Sequence, residues 1–511
     1  MSVPVQQRRS VSFLSAEYVN SAVELRFWRY AAVLLLVVFA CSMVQDLRLK
    51  MWNDELFTLY VARQGSPIAI VTAIKDGMDG TPPLYPVIVS AALPIARDDA
   101  LAVRLPSTLG FVAMLYFILV FCRRRMPAIY ALIAALVAAI ACGFYATEGR
   151  CYGLVLGCTA GALVGWQVAT ESKARAPAFT LMAVCLMLAT ALHYYSIFLL
   201  IPLAAGEAVR WRQRRRPDPV VLGAMLPALV VLIAHYPLIA VGRKYLVHFW
   251  APGIASWRQI PGFYFQFALL PIGIIVVGLI ARALRPDSVE RERGKPSALP
   301  PREWVAIVML AAMPILVVAL SKYTTHIFLA RYTLWAEIGL AILSASVLYQ
   351  STAKQPLVGV AVLGALMVTF GAYQWRALRE QPTLRQGEAI RRELRFVPRG
   401  TEPIAISYNH AFVELSYYAE PQLRERLAYP LSRSLELRYR GTDLDYFLLS
   451  GLGARTQLAV VDLTKFLQAN PRFVLASTPT DYLPQYLDSA GYRLTPVNPQ
   501  NAPGLYEVER R

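Results

Sequence analysis

The chain is short of charge. Only 16% of its 511 residues are Asp, Glu, Lys or Arg, where a soluble domain carries roughly a quarter. Cysteine is scarce and shows no pairing pattern: Cys41, Cys122, Cys142, Cys151, Cys158 and Cys185 lie in or at the ends of apolar runs, without a Cys-x-x-Cys and with none in the final third. That argues against a disulfide framework and against a structural zinc site, leaving the thiols as small apolar helix residues. Acids are outnumbered, 33 against 51 Lys and Arg, for a net charge of +18. The basic residues cluster beside the apolar runs, where anionic headgroups and the positive-inside bias account for them. Nucleic acid is therefore not an expected partner.

What is abundant is apolar sequence: 56% of residues are hydrophobic and the mean hydropathy is +0.44. Several charge-free runs of about 16 to 24 residues are long enough to cross ~30 Å of hydrocarbon as helices. An open sheet would leave its backbone unsatisfied in lipid, so the spans are helical. The first run lacks an A-x-A cleavage signal and is followed by many others, which reads as a retained anchor. No internal repeat is evident, against a transporter built of inverted halves.

About eleven spanning helices are predicted, near 30–45, 105–122, 126–146, 151–170, 177–192, 194–209, 219–242, 261–281, 303–321, 332–350 and 356–375. A further apolar stretch, 82–96, begins at Pro82–Pro83. If it does not cross, one set of loops collects most of the basic residues: Arg8, Arg9, Arg26 and Arg29, then Arg123–Arg125, Lys173 with Arg175, the run Arg210 to Arg216, the linker Arg282 to Arg302, and Lys354. The bias favours this topology, with that set of loops cytosolic and 82–96 lying at the outer surface. The organisation expected is a cytoplasmic N-terminus (1–29), a transmembrane module (30–377) whose first outer loop is 46–104, and an outer α/β domain (378–511). In that tail, short β-like runs (Ile404–Ser407, Phe473–Ala476, Tyr492–Pro496, Leu505–Val508) alternate with helix-like segments at Ala411–Tyr418 and Tyr482–Ala490. Trp52 and Tyr60 are the expected interfacial anchors of the first loop.

The chemistry-bearing residues are ambiguous one by one. Asn53-Asp54-Glu55 follows the first span; one positioned carboxylate there could take a proton from a hydroxyl, or the pair could merely start a helix. Asp79, ahead of Gly80-Thr81-Pro82-Pro83-Leu84-Tyr85, could bind a cation or cap a helix. Thr147-Glu148-Gly149-Arg150-Cys151-Tyr152 puts an acid and a guanidinium between two spans, as a phosphate site or as a local Glu–Arg pair. His193-Tyr194-Tyr195, Lys322-Tyr323 to His326, and Arg331-Tyr332 complete the set, Lys322 and Arg331 reading equally as headgroup anchors and His235 as a packing residue. The topology chosen by the basic residues places all these constellations on one face of the membrane, and that convergence indicates a site.

In this order, Asp-Glu after the first helix, Pro-Pro-Leu-Tyr, Arg104-Leu105-Pro106-Ser107, Glu-x-Arg-x-Tyr, His-Tyr-Tyr and a late Arg-Tyr resemble the GT-C glycosyltransferases, in the branch of protein O-mannosyltransferases and lipid A aminoarabinose transferases. The likeness covers most of 25–375, and the tail, with Arg472-Phe473-Val474 and Gly491-Tyr492-Arg493, is similar to the periplasmic domains of some members. It implies a multi-pass bacterial inner-membrane enzyme with a periplasmic site, moving a sugar from a polyprenyl-phosphate carrier to a glycan, lipid or protein acceptor with inversion. By the same resemblance Asp54 would be the general base with Glu55 beside it, Glu148 the second acid, and Arg150, Lys322 and Arg331 the holders of the lipid phosphate, with Asp79, Tyr152, His193 and Tyr332 lining the substrate site. Relatives carry His or Glu-Lys before Pro-Pro where this chain has Gly80-Thr81. No metal ligand set is thus assigned, and a divalent cation is an expectation only through Asp79. A flippase for a lipid-linked glycan is the competing expectation; it asks for charges buried within helices and for discontinuous helices. A scaffold whose outer domain binds a partner is a third, and it leaves Asp54, Glu55 and Glu148 without a task.

Overall fold

The structure, a computed structural model, describes residues 16–171, 175–245, 247–249, 251–284, 298–352, 356–397, 400–478 and 481–511. Arg8, Arg9, Lys173, Lys354 and the linker residues Arg285, Arg291, Arg293 and Lys295 lie outside them.

Each of the eleven apolar segments is helical where it is described. Among the described residues five helices are long and apolar enough to cross a membrane: Phe27–Arg48, Asp99–Arg123, Tyr152–Ala169, Pro301–Ser321 and Pro356–Leu378. Ala128–Ala141 and Ala176–Leu192 are apolar but shorter. Two segments expected as single straight spans are broken. The 219–242 segment bends by 47° between Ala234 and Tyr236, and 261–281 bends by 71° between Phe267 and Leu269. Pro237 and Pro271 sit one and two residues beyond these breaks, where a missing N–H interrupts the helical ladder. The 82–96 stretch forms only Leu84–Ala92, nine residues and roughly 14 Å, too short to cross. Helix Pro301–Ser321 and the 71° pair pack beside Ala336–Thr352.

One close crossing sets the geometry of everything above it. Helix Tyr152–Ala169 carries glycine at 153, 157, 161 and 165, one per turn. A Cβ on Gly153 would lie 2.1 Å from the Ser107 carbonyl oxygen, and one on Gly157 would lie 2.5 Å from that of Gly110. The small-residue stripe therefore lets Tyr152–Ala169 lie directly against the backbone of Asp99–Arg123. It brings the 147–152 loop to Arg104.

The tail folds as a sheet flanked by helices. Its strands are β1 (Ile404–Ile406), β2 (Leu427–Leu431), β3 (Val460–Asp462), β4 (Arg472–Ala476), β5 (Tyr492–Asn498) and β6 (Ala502–Arg510), in the order β3-β2-β1-β4-β6-β5. The first four are parallel, with Ile404 opposite Leu427 and Val474, while β6 runs antiparallel to β4 and β5. Helix Asn409–Tyr418 follows β1 and docks on the 46–104 loop. Glu414, fully buried, accepts from the backbone N–H of Gln386 and Gly387; Tyr418 Oη accepts from Met51 N at 2.6 Å. Arg455 pairs with Asp76, and Gly451 abuts the Asp76–Met78 backbone so closely that a Cβ would meet Asp76 O at 2.8 Å.

Candidate active site

Four residues separate helix Asn53–Ala62 from the end of Phe27–Arg48, and its first turn is locked from two sides. Glu55 reaches back to the Trp52 N–H at 3.1 Å, as an acid three residues past an N-cap does. Its carboxylate also takes a two-pronged bond from Arg104, Nε and Nη2 each at 2.7 Å, and the Gly149 N–H at 2.6 Å. Gly149 has to be glycine: a Cβ there would strike Val103 at 2.4 Å and Glu55 at 2.9 Å. Arg104 spends its remaining donors on the carbonyls of Asp46, Leu49 and Lys50. Both partners are buried. Glu55, with every lone pair directed at a donor, positions its neighbour rather than meeting substrate.

That neighbour, Asp54, is different. Its carboxylate is half-buried, and the ion pair it makes is a single approach from Arg331 Nη2 at 3.4 Å. Arg150 holds the turn from behind, donating from Nη1 to the Asp54 carbonyl (3.1 Å), Thr58 Oγ1 (3.0 Å) and Asp79 Oδ2 (3.0 Å). Asp79 accepts the Thr81 N–H with its other oxygen. The sequence left Asp79 as a cation ligand or a cap and Glu148–Arg150 as a phosphate site or a local pair; here Asp79 pairs with Arg150 across the loops. Buried and engaged three times through Nη1, Arg150 holds the turn that carries Asp54.

Glu148 is buried with Oε2 lacking any hydrogen-bond partner among the described residues. Burial pushes its carboxyl up to about 7, against the pull of Arg331, and the nearby charges of Asp54 and Glu55 push the same way. Arg331 lies partly exposed between the two acids, and its Nε also has no partner among the described residues. A guanidinium with an unspent donor beside a carboxyl that takes up its proton near neutrality is suited to receiving an anion.

Aromatic rings wall this region. The Arg331 guanidinium lies 6.0 Å from the Tyr152 ring centre. His193 sits among Tyr152 (5.8 Å), Tyr195 (5.8 Å) and Tyr332 (5.0 Å). Burial, with Arg331 and Arg150 nearby, pushes the His193 ring down to about 3, so it stays neutral. Lys322 is turned elsewhere, its ammonium 5.3 Å from the Trp257 ring centre. Tyr85 anchors the Pro-Pro-Leu-Tyr turn by donating to Val103 O at 2.7 Å. His235 packs edge-on to Tyr194.

Two groups were missed. Arg104 belonged to a quoted motif without being given a role, although an arginine inside an apolar run is itself a signal. Arg385, just past the last span, lies over Trp52 at 4.3 Å and Phe144 at 5.2 Å, at the lip of the cluster; nothing local in the sequence points to it. A resident divalent cation does not fit these side chains. Asp79 and Glu55 are spent on arginines, and among the described residues no three His, Cys, Asp or Glu come together to hold a metal ion.

No family model matches the chain, and no curated protein does. Among solved structures it is similar to ArnT from Cupriavidus metallidurans bound to undecaprenyl phosphate, at 12% identity and a TM-score of 0.45, over 94% of this chain and 98% of that one. The apo state of the same protein gives the same identity and TM-score, over 94% and 97%. The Archaeoglobus fulgidus oligosaccharyltransferase, in complex with Zn and sulfate, is similar at 11% identity and a TM-score of 0.47, over 93% of this chain and 73% of that one.

Proposed function

We propose that this chain is a membrane glycosyltransferase that moves a sugar from a polyprenyl-phosphate carrier to a hydroxyl of a cell-envelope acceptor, at the periplasmic face of a bacterial inner membrane, with inversion. The observation that carries it is the arrangement of Asp54, Arg331 and Glu148. A half-exposed carboxylate and a buried, protonatable carboxyl flank a guanidinium that has a donor to spare.

Asp54 takes the proton of the acceptor hydroxyl as its oxygen attacks the anomeric carbon. The bond from that carbon to the phosphate oxygen breaks, and its electron pair leaves with the polyprenyl phosphate. Arg331 meets the developing charge with Nε, and Glu148, protonated, sits beside an anion without repelling it. Arg150 and Glu55 do not touch substrate; through the Asp54 carbonyl and the Trp52 N–H they hold the turn that aims the base. No step is routed through a metal.

The test is Asp54→Asn in lipid nanodiscs with a polyprenyl-phosphate sugar and an envelope extract as acceptor. Normal turnover in a folded variant rejects the assignment.

The flippase reading gains two observations: the bent helix pairs, and the buried Asp46 and Glu337 within helices. Yet prolines account for the bends, and both acids lie within the last or first turn at the helix ends nearest Asp54. Retained flipping of a fluorescent polyprenyl-phosphate sugar by Asp54→Asn, with no transfer by the wild type, would favour that reading.

A further inference from the structure

In the tail's sheet the chain leaves β1 toward β2 and β3 on one side, then returns to add β4 on the other. Loops leaving the carboxyl ends of β1 and β4 therefore part in opposite directions, and such a switch point opens the crevice where α/β sheets bind ligands. Here the β1 loop supplies Ser407 and Tyr408, the first turn of the helix after it supplies His410, and the β4 loop supplies Asp481. Arg440, at the end of helix Arg433–Arg440 after β2, reaches in between.

The crevice is polar and loosely closed. Arg440 touches Ser407 O at 3.3 Å, Asp445 Oδ2 at 3.4 Å and Asp481 Oδ2 at 3.6 Å. These approaches are all longer than the 2.7–2.9 Å usual between charged partners, and than the 2.7 Å of Arg104 on Glu55. The Asp481 side chain is only 1% exposed, and Oδ2 has no hydrogen-bond partner among the described residues, while Oδ1 accepts from the Tyr482 N–H. Tyr482 forms a wall, under Arg440 and stacked on Tyr439 at 5.0 Å. Tyr408 donates to Gln386 and contacts His410 Nδ1 at 3.3 Å, so the His410 ring is held at one nitrogen and can hydrogen-bond a ligand at the other.

Helix Asn409–Tyr418 begins at the β1 carboxyl end and packs on Asn53–Ala62, with Glu414 taking the Asn53 N–H and Tyr418 the Met51 N–H, so this cluster lies on the side of the tail that meets the Asp54 helix. The charges of Asp445 and Asp54 both act on the His410 ring, while burial and Arg440 oppose them.

We infer that the β1/β4 crevice is the acceptor subsite, holding the hydroxyl-rich head of an envelope glycan so that one hydroxyl reaches Asp54. Sugar hydroxyls both give and take hydrogen bonds. The crevice offers both kinds of partner: Arg440 to donate, and Asp445 and the neutral His410 ring to accept. A peptide acceptor would instead need apolar side-chain pockets, which these charged walls do not supply. The inference rests on the transferase reading and names its acceptor class.

The experiment uses the full chain in nanodiscs of phosphatidylethanolamine and phosphatidylglycerol, exposed to an array of cell-envelope oligosaccharides and unglycosylated envelope peptides. The wild type is expected to retain oligosaccharides. Asp445→Asn and His410→Gln, at unchanged melting temperature, are expected to weaken that retention by about tenfold each. Should Asp445→Asn fail to fold, His410→Gln carries the test, since it removes only one long contact. No oligosaccharide retained, peptides retained instead, or undiminished retention in a folded variant overturns the inference. A separate arm measures binding of a polyprenyl phosphate alone, expected to weaken by about ten- to a hundredfold in Arg331→Gln. Its failure in the wild type sinks the donor reading while leaving the glycan result to stand or fall by itself.

Discussion

The two ends of the helical bundle use the same side chains to different purposes. At the end bearing Arg125, acids are closed off by arginine forks. Fully buried Glu303 takes Arg125 Nε at 2.7 Å and Gln167 at 3.2 Å, and Glu171 takes Arg124 at 2.8 Å and Arg302 at 2.9 Å. Asp218 takes Arg210 at 2.7 Å, and Glu207 the same guanidinium at 2.7 and 2.8 Å. At the other end Glu55 is closed in this way by Arg104, but among the described residues Asp54 keeps one 3.4 Å approach and Glu148 an unpartnered oxygen. A carboxylate surrounded by donors ties helices together. One held in place yet unsatisfied keeps its capacity for something that arrives later.

That contrast is open to direct attack. The largest effect belongs to Asp54→Asn: about a hundred- to ten-thousand-fold loss of turnover with melting temperature unchanged, read by thin-layer assay of the released polyprenyl phosphate. Glu303→Ala is the mirror case. Removing one partner of a buried pair costs about 3–5 kcal/mol, so thermal unfolding should shift sharply downward while the surviving folded fraction keeps its turnover per molecule. Equal damage to catalysis and stability at both ends would erase the distinction. Arg331→Gln should weaken polyprenyl-phosphate binding by about ten- to a hundredfold, the worth of a charged hydrogen bond, measured by titration in nanodiscs. The smallest effect is a change of slope. Wild-type affinity for the phosphate should fall a few-fold as pH rises through about 7, since the ionised form of Glu148 repels an anion and the protonated form does not; Glu148→Gln should be flat over the same range.

Much of this arrangement was legible from residues alone, because hydropathy reports burial in lipid one segment at a time. The apolar runs marked helices, and loop chemistry gathered Asp54, Glu148 and Arg331. What depended on proline within a run was less visible: 219–242 and 261–281 count as spans by composition yet bend at their prolines. In the tail, β2 was overlooked because Leu427–Leu431 is five residues with Pro430 inside, and β3 because Val460–Asp462 is only three. Strands that short are defined by their partners. Contacts between distant loops were beyond reach for the same reason. Nothing near position 54 announces that Arg104 will seal Glu55, that Asp79 will claim Arg150, or that Glu414 will come to rest against the Asp54 helix.

The Arg104 clasp has a consequence for how a greasy, slowly diffusing substrate is met. A single guanidinium grips three carbonyls, of Asp46, Leu49 and Lys50, as the chain leaves the first long helix, and it grips the acid next door to Asp54. The Asp54 carboxylate is thereby mounted on a stiff anvil whose alignment was completed when the protein folded. In the proposed transfer, a carrier entering sideways from the bilayer need not mould its target, and its collision energy goes into reaching the reacting distance and not into tidying a loop.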